Sequence, residues 1–148
     1  MSRKDTQMYK LSPSSQKRLE SLKTPFQDIV LKMVKIGNKN GLDVQIACGT
    51  RSAAQQDELY AQGRTRPGSI VTNAKGGQSL HNIGLAVDLY FLVGGKADWG
   101  VGKYLKLWDL IKDSVPEVEW AGNWKSFKEY CHFQIKGSYG CPPHKTKN

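Results

Sequence analysis

The sequence predicts an α+β fold, a small antiparallel sheet flanked by helices, in a single domain over residues 1–148. Its 148 residues are 39% hydrophobic and 24% charged, a balance that suits one globular unit with a buried core. Helical patterns come first, and short strands mixed with helices follow, the order expected of α+β. No repeat, low-complexity segment or linker interrupts the chain.

SPSSQKRLESL (12–22) reads as a short helix, with Ser12 as N-cap and Pro13 at the first helical position. TPFQDIVLKMVKIGNKNG (24–41) reads as a longer one. Thr24 and Gln27 fit a capping box. Phe26, Ile29, Val30, Met33 and Val34 make an apolar stripe at helical spacing, and Gly37 is the expected stop. LDVQIAC (42–48) alternates Leu42, Val44, Ile46 and Cys48, the pattern of a half-buried strand. GTRSAAQQDELYAQG (49–63) turns into a helix capped by Ser52 and stopped at Gly63, with Arg51 at the strand-to-helix junction. RTRPGSIVTNAKGGQ (64–78) has no sustained period and reads as a long loop, a feature that is commonly functional or mobile. SLHNIGLAVDLYF (79–91) runs into a strand that ends at a Gly94–Gly95 turn. Asp98 is the expected cap of a helix through about Lys112, with Trp99, Leu105, Trp108 and Ile111 facing inward. VEW (118–120) and HFQI (132–135) complete the strands.

The formal net charge of +9 implies an anionic partner: nucleic acid, an anionic membrane surface or an acidic envelope polymer. The basic residues are spread along the chain, and no RRM-like aromatic motif or paired-cysteine finger is present, which disfavours nucleic acid. No stretch approaches the roughly 20 apolar residues of a membrane span. MSRKDTQMYKLSPSS lacks an apolar h-region, so a protein made and held in the cytoplasm is expected. Three cysteines, Cys48, Cys131 and Cys141, are too few for a disulfide scaffold. Cys48 sits in an apolar alternation and is expected to act as a small core residue.

His81 and Asp88 flank Gly84 in the 79–91 segment. In a strand, Asp88 shares a face with Ala86 while Leu85, Val87 and Leu89 point the other way. A straight strand would put His81 opposite Asp88, and Gly84 offers a bend that brings the two together. The spacing alone fits two readings: a pair of metal ligands, or a loop histidine beside a surface aspartate. KEYCHFQI (128–135) adds Glu129 and His132. Zinc catalysis needs imidazole or carboxylate ligands with one position left open. It also needs a base that is near the metal without ligating it. His81, Asp88 and His132 supply such a three-ligand set, with Glu129 as the base. Glu129 also fits a solvated charge beside Lys125 and Lys128. Cys131 is turned away from His132 by strand alternation, and His144 falls in the polar tail PPHKTKN.

SLHNIGLAVDL resembles the S-x-H-x-x-G-x-A-x-D signature of the zinc D-Ala-D-Ala peptidases, through Ser79, His81, Gly84, Ala86 and Asp88. These belong to the LAS group of lysostaphin, D-Ala-D-Ala metallopeptidases and hedgehog. ACGTRSAAQQ is similar to the group's G-x-R-S-x-x-x-Q block, through Gly49, Arg51, Ser52 and either Gln56 or Gln55. EWAGNWKSFKEYCHFQI resembles the C-terminal block of phage and bacterial L-alanyl-D-glutamate peptidases, W-G-G-D-W followed by (D/E)-x-x-H-F. Ala121 and Asn123 depart from that block, while Trp120, Gly122 and Trp124 keep it. The resemblance covers roughly residues 40–136.

The resemblance implies a LAS fold and one Zn²⁺ ion held by His81, Asp88 and His132. It implies Glu129 as general base and Arg51 as stabiliser of an oxyanion or of a substrate carboxylate. Ser79, Gln55 and Trp124 are further candidates for substrate contact; Ser79 fits a structural cap equally. Ser79 as a nucleophile is disfavoured, because His81 would then have to be both base and ligand. The implied activity is hydrolysis of the L-Ala–D-Glu bond of peptidoglycan stem peptides; the missing export signal and small size fit a phage endolysin, expected to be a monomer. Such an enzyme waits in the host cytoplasm until lysis, then reaches the wall, drawn to the anionic envelope by its charge without inserting in membrane. A D-Ala-D-Ala carboxypeptidase or dipeptidase of the same fold, and a non-catalytic wall-binding module, are the alternatives.

Overall fold

The structure is a computed structural model that describes residues 9–72, 74–77, 79–126 and 128–137. Cys141 and His144 lie outside the described residues. Strand β2 (Ala86–Val93) organises the rest, because the other strands pair with it or with its neighbour. It lies between β1 (Val44–Cys48) and β5 (His132–Ile135), and β4 (Val118–Trp120) pairs with β5, giving the order β1-β2-β5-β4. All of these pairings are antiparallel. A short β3 (Lys96–Asp98), returning through Gly94–Gly95, pairs with the far end of β2. The architecture is the α+β, antiparallel one that the residue patterns predict.

Alternation along β2 sorts its side chains onto two faces. Val87, Leu89 and Phe91 are fully buried. They join one apolar cluster with Phe26, Val30, Met33 and Val34 of helix α2 (Thr24–Lys39), and with Tyr104, Leu107 and Ile111 of helix α4 (Val101–Ile111). Ala86, Asp88 and Tyr90 take the other face. Register places Cys48 opposite Asp88 on one side and His132 opposite Asp88 on the other. Cross-strand partners share a face, so Cys48, Asp88 and His132 form one row across three strands. Ala86, Gln134 and Glu119 form the next row.

β1 is an edge of the sheet, and helix α1 (Pro13–Glu20) covers it. Ser15 Oγ accepts the Ile46 amide at 2.9 Å. Arg18 Nη1 donates to the Ile46 carbonyl at 3.1 Å. Both polar groups of an edge residue are thereby occupied, which removes a site of edge-to-edge pairing. Ser12 caps α1 as its sequence implies, accepting from the Ser15 amide.

Several local expectations change. Thr24 is inside α2; Lys23 is the N-cap and makes no side-chain cap bond. Gln27, expected in a capping box, turns its amide back onto the carbonyls of Leu22 and Glu20 at 2.9 and 3.2 Å, tying α2 to α1. Gly37 does not stop α2. It is buried within the helix, where an added Cβ would lie 2.6 Å from a Val44 methyl, so the missing side chain serves close helix–strand approach. Asp98 ends β3 and does not cap α4, whose N-cap is Gly100; the Asp98 carboxylate accepts the Gly100 amide and pairs with Lys103 at 2.9 Å. Trp99 and Leu105, expected inward, are 51% and 53% exposed. α4 instead turns Tyr104, Leu107 and Ile111 to the core.

Replacing Ser15 by Ala should strand the buried Ile46 amide and cost about 1–3 kcal/mol. A urea midpoint shifted down at constant slope would show this; an unchanged midpoint would mean that α1 does not close the edge through that hydroxyl.

Candidate metal centre

His81 reaches the Asp88 row from a different element. Leu80–Ile83 form a 3-10 turn whose cap, Ser79, accepts the His81 amide at 3.1 Å. Gly84 ends the turn with φ +76, in the left-handed region, and a Cβ there would meet the Lys23 amide nitrogen at 2.8 Å. The bend needs glycine on both counts. Its effect is to lay the His81 ring over the strand face.

Three atoms converge. His132 Nδ1 lies 3.1 Å from Asp88 Oδ1. His81 Nε2 lies 3.3 Å from the same oxygen and 3.2 Å from His132 Nδ1. The outer nitrogens are committed elsewhere. His81 Nδ1 meets the Gly49 carbonyl at 2.9 Å, and His132 Nε2 meets Gln134 Oε1 at 2.7 Å. Both of those partners only accept, so both outer nitrogens carry hydrogen. Each inner nitrogen of a neutral ring then presents a lone pair, and Asp88 presents a carboxylate oxygen. Three acceptors within 3.3 Å of one another require a positive charge between or among them. Ligands held tetrahedrally at about 2.0–2.1 Å from zinc are about 3.3 Å apart. The donor set therefore fits a divalent ion, with outer hydrogen bonds of the kind that orient metal-bound histidines.

Without an ion the charge is carried by a proton. Burial pushes His81 toward neutrality, but the Asp88 charge and the ring's hydrogen bonds to Asp88 and Cys48 outweigh it and raise its pKa to about 10. Burial by itself would raise Asp88; the His81 charge overcomes this and holds its carboxyl well below the usual range.

A cleft of about 390 Å³ opens over this cluster, and its lining includes Arg51, Ser79, His81, Asp88, Trp124, Glu129, Cys131 and His132. A larger hollow of about 690 Å³ between α1 and α2 contains no histidine or cysteine and offers no comparable chemistry. Glu129 Oε1 is 3.8 Å from His132 Nδ1. Burial raises the Glu129 pKa against the opposing pull of His132. Arg51 donates to Gln56 Oε1 at 2.7 Å and lies 3.6 Å from Asp88 Oδ2. Trp124 is tilted against the His132 ring at 5.7 Å. The long loop expected at 64–78 forms part of the cleft and is pinned: Gln56 Nε2 donates to the Ala74 carbonyl at 2.7 Å, and the Gly76 amide donates to Asp57 at 2.7 Å.

Gln55, expected at the substrate, is not among the cleft-lining residues. It completes a capping box with Ser52 on helix α3 (Ala53–Ala61), where its side chain accepts the Ser52 amide. Gln56, one position on, is the buried partner of Arg51. Cys48, expected as a core residue, is instead half-buried beside the site. Its Sγ is 3.9 Å from His81 Nδ1 and accepts from Arg51 Nη2 at 3.3 Å. Cys48, His81 and Asp88 offer ligand atoms within 4.8 Å of one another, a second potential ion site. His132 is the better third member: Cys48 faces the His81 nitrogen that already serves Gly49, and the Arg51 guanidinium occupies its sulfur. Gln134, which accepts from His132 Nε2, belongs to no motif. Its one signal is position, two residues after His132 on the same strand face.

The chain belongs to the VanY family, described as D-alanyl-D-alanine carboxypeptidase, which it matches over residues 19–100. Residues 72–135 match a second peptidase family of the same description. The peptidoglycan L-alanyl-D-glutamate endopeptidase CwlK of Bacillus subtilis (strain 168) is 41% identical over 110 residues, or 64% of this chain and 62% of that protein. The match thus spans less than two thirds of that relative. The fold resembles the Serratia marcescens L-Ala D-Glu endopeptidase ChiX with a TM-score of 0.64 at 23% identity, covering 89% of this chain and 95% of that one. It also resembles a vancomycin-resistance D,D-pentapeptidase VanY solved with Zn(II), with a TM-score of 0.55 at 17% identity, covering 77% of this chain and 72% of that one. The LAS-type fold implied by the motifs is therefore the observed one.

The two described thiols differ in environment. Burial raises Cys48, but the His81 hydrogen bond and charge and the Arg51 charge reverse this, and its pKa is lowered. Burial and the charges of Asp88 and Glu129 raise Cys131. Thiolate content governs alkylation, so iodoacetamide near neutral pH should modify Cys48 before Cys131 in the zinc-free protein. Peptide mapping showing Cys131 first would contradict this description of the site.

Proposed function

We propose that this chain is a zinc-dependent peptidoglycan endopeptidase that hydrolyses the L-Ala–D-Glu bond of stem peptides. The observation that carries the proposal is the convergence of His81 Nε2, Asp88 Oδ1 and His132 Nδ1, each aimed inward by its own outer partner. These three residues would hold one ion. When bound, zinc supplies Lewis acidity, polarising a carbonyl and acidifying water toward a pKa of about 7.

Glu129 acts as the general base. Its carboxylate is near His132 Nδ1 without sharing the Asp88 contact, and burial has moved its pKa up toward the working range of an acid–base catalyst. Glu129 Oε1 takes the proton of the attacking water and returns it to the departing amine. Arg51, steadied by Gln56, directs guanidinium donors at the carbonyl oxygen as it gains charge, or at a substrate carboxylate. Trp124 supplies an apolar wall beside His132, and Ser79 positions the His81 turn.

The CwlK relative supports the L-Ala–D-Glu bond, while the family description supports a second reading, D-Ala–D-Ala carboxypeptidase. Mass spectrometry of digested murein separates them: the first creates a new N-terminal D-Glu, and the second releases D-Ala. No released product would leave a wall-binding module. We further propose a monomeric lysis enzyme, held in a host cytoplasm and drawn to the anionic envelope by its charge of +9. The C-terminal block, which resembles that of phage and bacterial L-alanyl-D-glutamate peptidases, fits this role. Cells expressing it should then lyse only after membrane permeabilisation.

Glu129→Ala should lower kcat by about 10²–10⁴ while zinc content stays at that of the wild type. A variant that keeps its activity would remove Glu129 from the mechanism.

The raised pKa of His81 fixes the pH dependence of metal binding. Near neutral pH the zinc-free ring is protonated, because its pKa is about 10. Ligation needs the neutral ring, so zinc should displace about one proton, and affinity should rise about tenfold per pH unit up to about 10. Calorimetry in two buffers of different ionisation heat reads this directly. Binding with no proton released would contradict the assignment of His81.

A further inference from the structure

We infer that Glu119 is a positioning residue that fixes the tautomer of His132 and thereby keeps the site open to a cation. The inference rests on the zinc-peptidase reading above. Glu119 is on β4 and is not among the residues lining the cleft. It pairs in register with Gln134 of β5, in the row beside Asp88 and His132. Gln134 is 2% exposed. Its Oε1 meets His132 Nε2 at 2.7 Å, and its Nε2 donates to Glu119 Oε2 at 2.6 Å.

A carboxamide has one accepting end and one donating end of nearly the same shape, so either could face His132. A carboxylate only accepts. Glu119 therefore claims the NH₂ end of Gln134, and Oε1 is left facing the ring. That oxygen also only accepts, so His132 must carry its hydrogen on Nε2. Nδ1 is then a bare lone pair, 3.1 Å from Asp88 Oδ1 and 3.2 Å from His81 Nε2.

The reversed arrangement shows what Glu119 prevents. With the amide turned over, its NH₂ would call for a lone pair on His132 Nε2. The ring hydrogen would move to Nδ1 and point at Asp88, which would accept it. The cluster would then be satisfied by an internal hydrogen bond, and the third ligand would be lost. His81 needs no such control, because its outer partner is the Gly49 backbone carbonyl, which cannot exchange ends. The dependence falls on His132 alone.

Two measurements test this. In zinc-free protein labelled with ¹⁵N-histidine, wild-type His132 should show hydrogen on Nε2. Glu119→Gln, which can accept or donate, should shift the ring toward the Nδ1–H form. Zinc affinity, measured by competition with a chromophoric chelator, should fall about 10–100-fold in that variant. The exchanged pair, Glu119→Gln with Gln134→Glu, restores an acceptor against His132 and a donor behind it, and should recover both the tautomer and the affinity. Glu119→Gln with wild-type tautomer and wild-type affinity would overturn the inference. So would a folded exchanged pair that stays in the Nδ1–H form. If the wild type binds no zinc, the peptidase reading fails, while the ¹⁵N spectra still decide the role of Glu119.

Discussion

Three acceptor atoms held against one another, with no hydrogen of their own to share, are the constraint on which this structure turns. Two imidazole lone pairs and a carboxylate oxygen at 3.1–3.3 Å are tolerable in a buried place only if a positive charge joins them. A proton suffices when no metal is present, which is why His81 and Asp88 shift in opposite directions. A divalent ion satisfies all three at once. Arg51, steadied by Gln56, lies beside Asp88, Ser79 holds the His81 turn, and Gln134 with Glu119 behind it orients His132.

The fold supplies the rigidity this needs. Asp88 and His132 are cross-strand partners, so the sheet fixes their separation and leaves little to side-chain freedom. His81 comes from a tight turn closed by Gly84 against the Lys23 backbone. α1 covers the edge strand that carries Cys48, and α2 and α4 bury the opposite face of β2. The cleft side is formed by the loop between α3 and the His81 turn, pinned by Gln56, the same residue that steadies Arg51. One buried glutamine thus links the cleft wall to the cation beside the site.

Much of this was legible in the sequence. The fold class followed from the order of periodic segments, and the residues at the centre followed from chemistry that core strands do not need. What stayed hidden was set by neighbours that are distant along the chain. Cys48 looks apolar by alternation, yet a register shift between Ile46 and Cys48 turns it toward Asp88. Trp99 and Leu105 look like core residues, but Trp99 precedes α4, whose N-cap is Gly100, and the helix packs Tyr104, Leu107 and Ile111 against the core, which leaves Leu105 outside. Gln55 and Gln56 are alike in sequence terms; the helix start at Ser52 spends the first on a cap and sends the second inward. Gln134 carries no motif, and its importance is visible only once His132 is seen to need an acceptor.

The central claim is the identity of the third ligand, since Cys48 also stands within reach of His81 and Asp88. X-ray absorption at the zinc edge of the loaded protein tests it most directly. His81, Asp88 and His132 should give a first shell of nitrogen and oxygen at about 2.0–2.1 Å, with imidazole scattering from two rings. A sulfur contribution at about 2.3 Å, or scattering from one ring alone, would contradict the account.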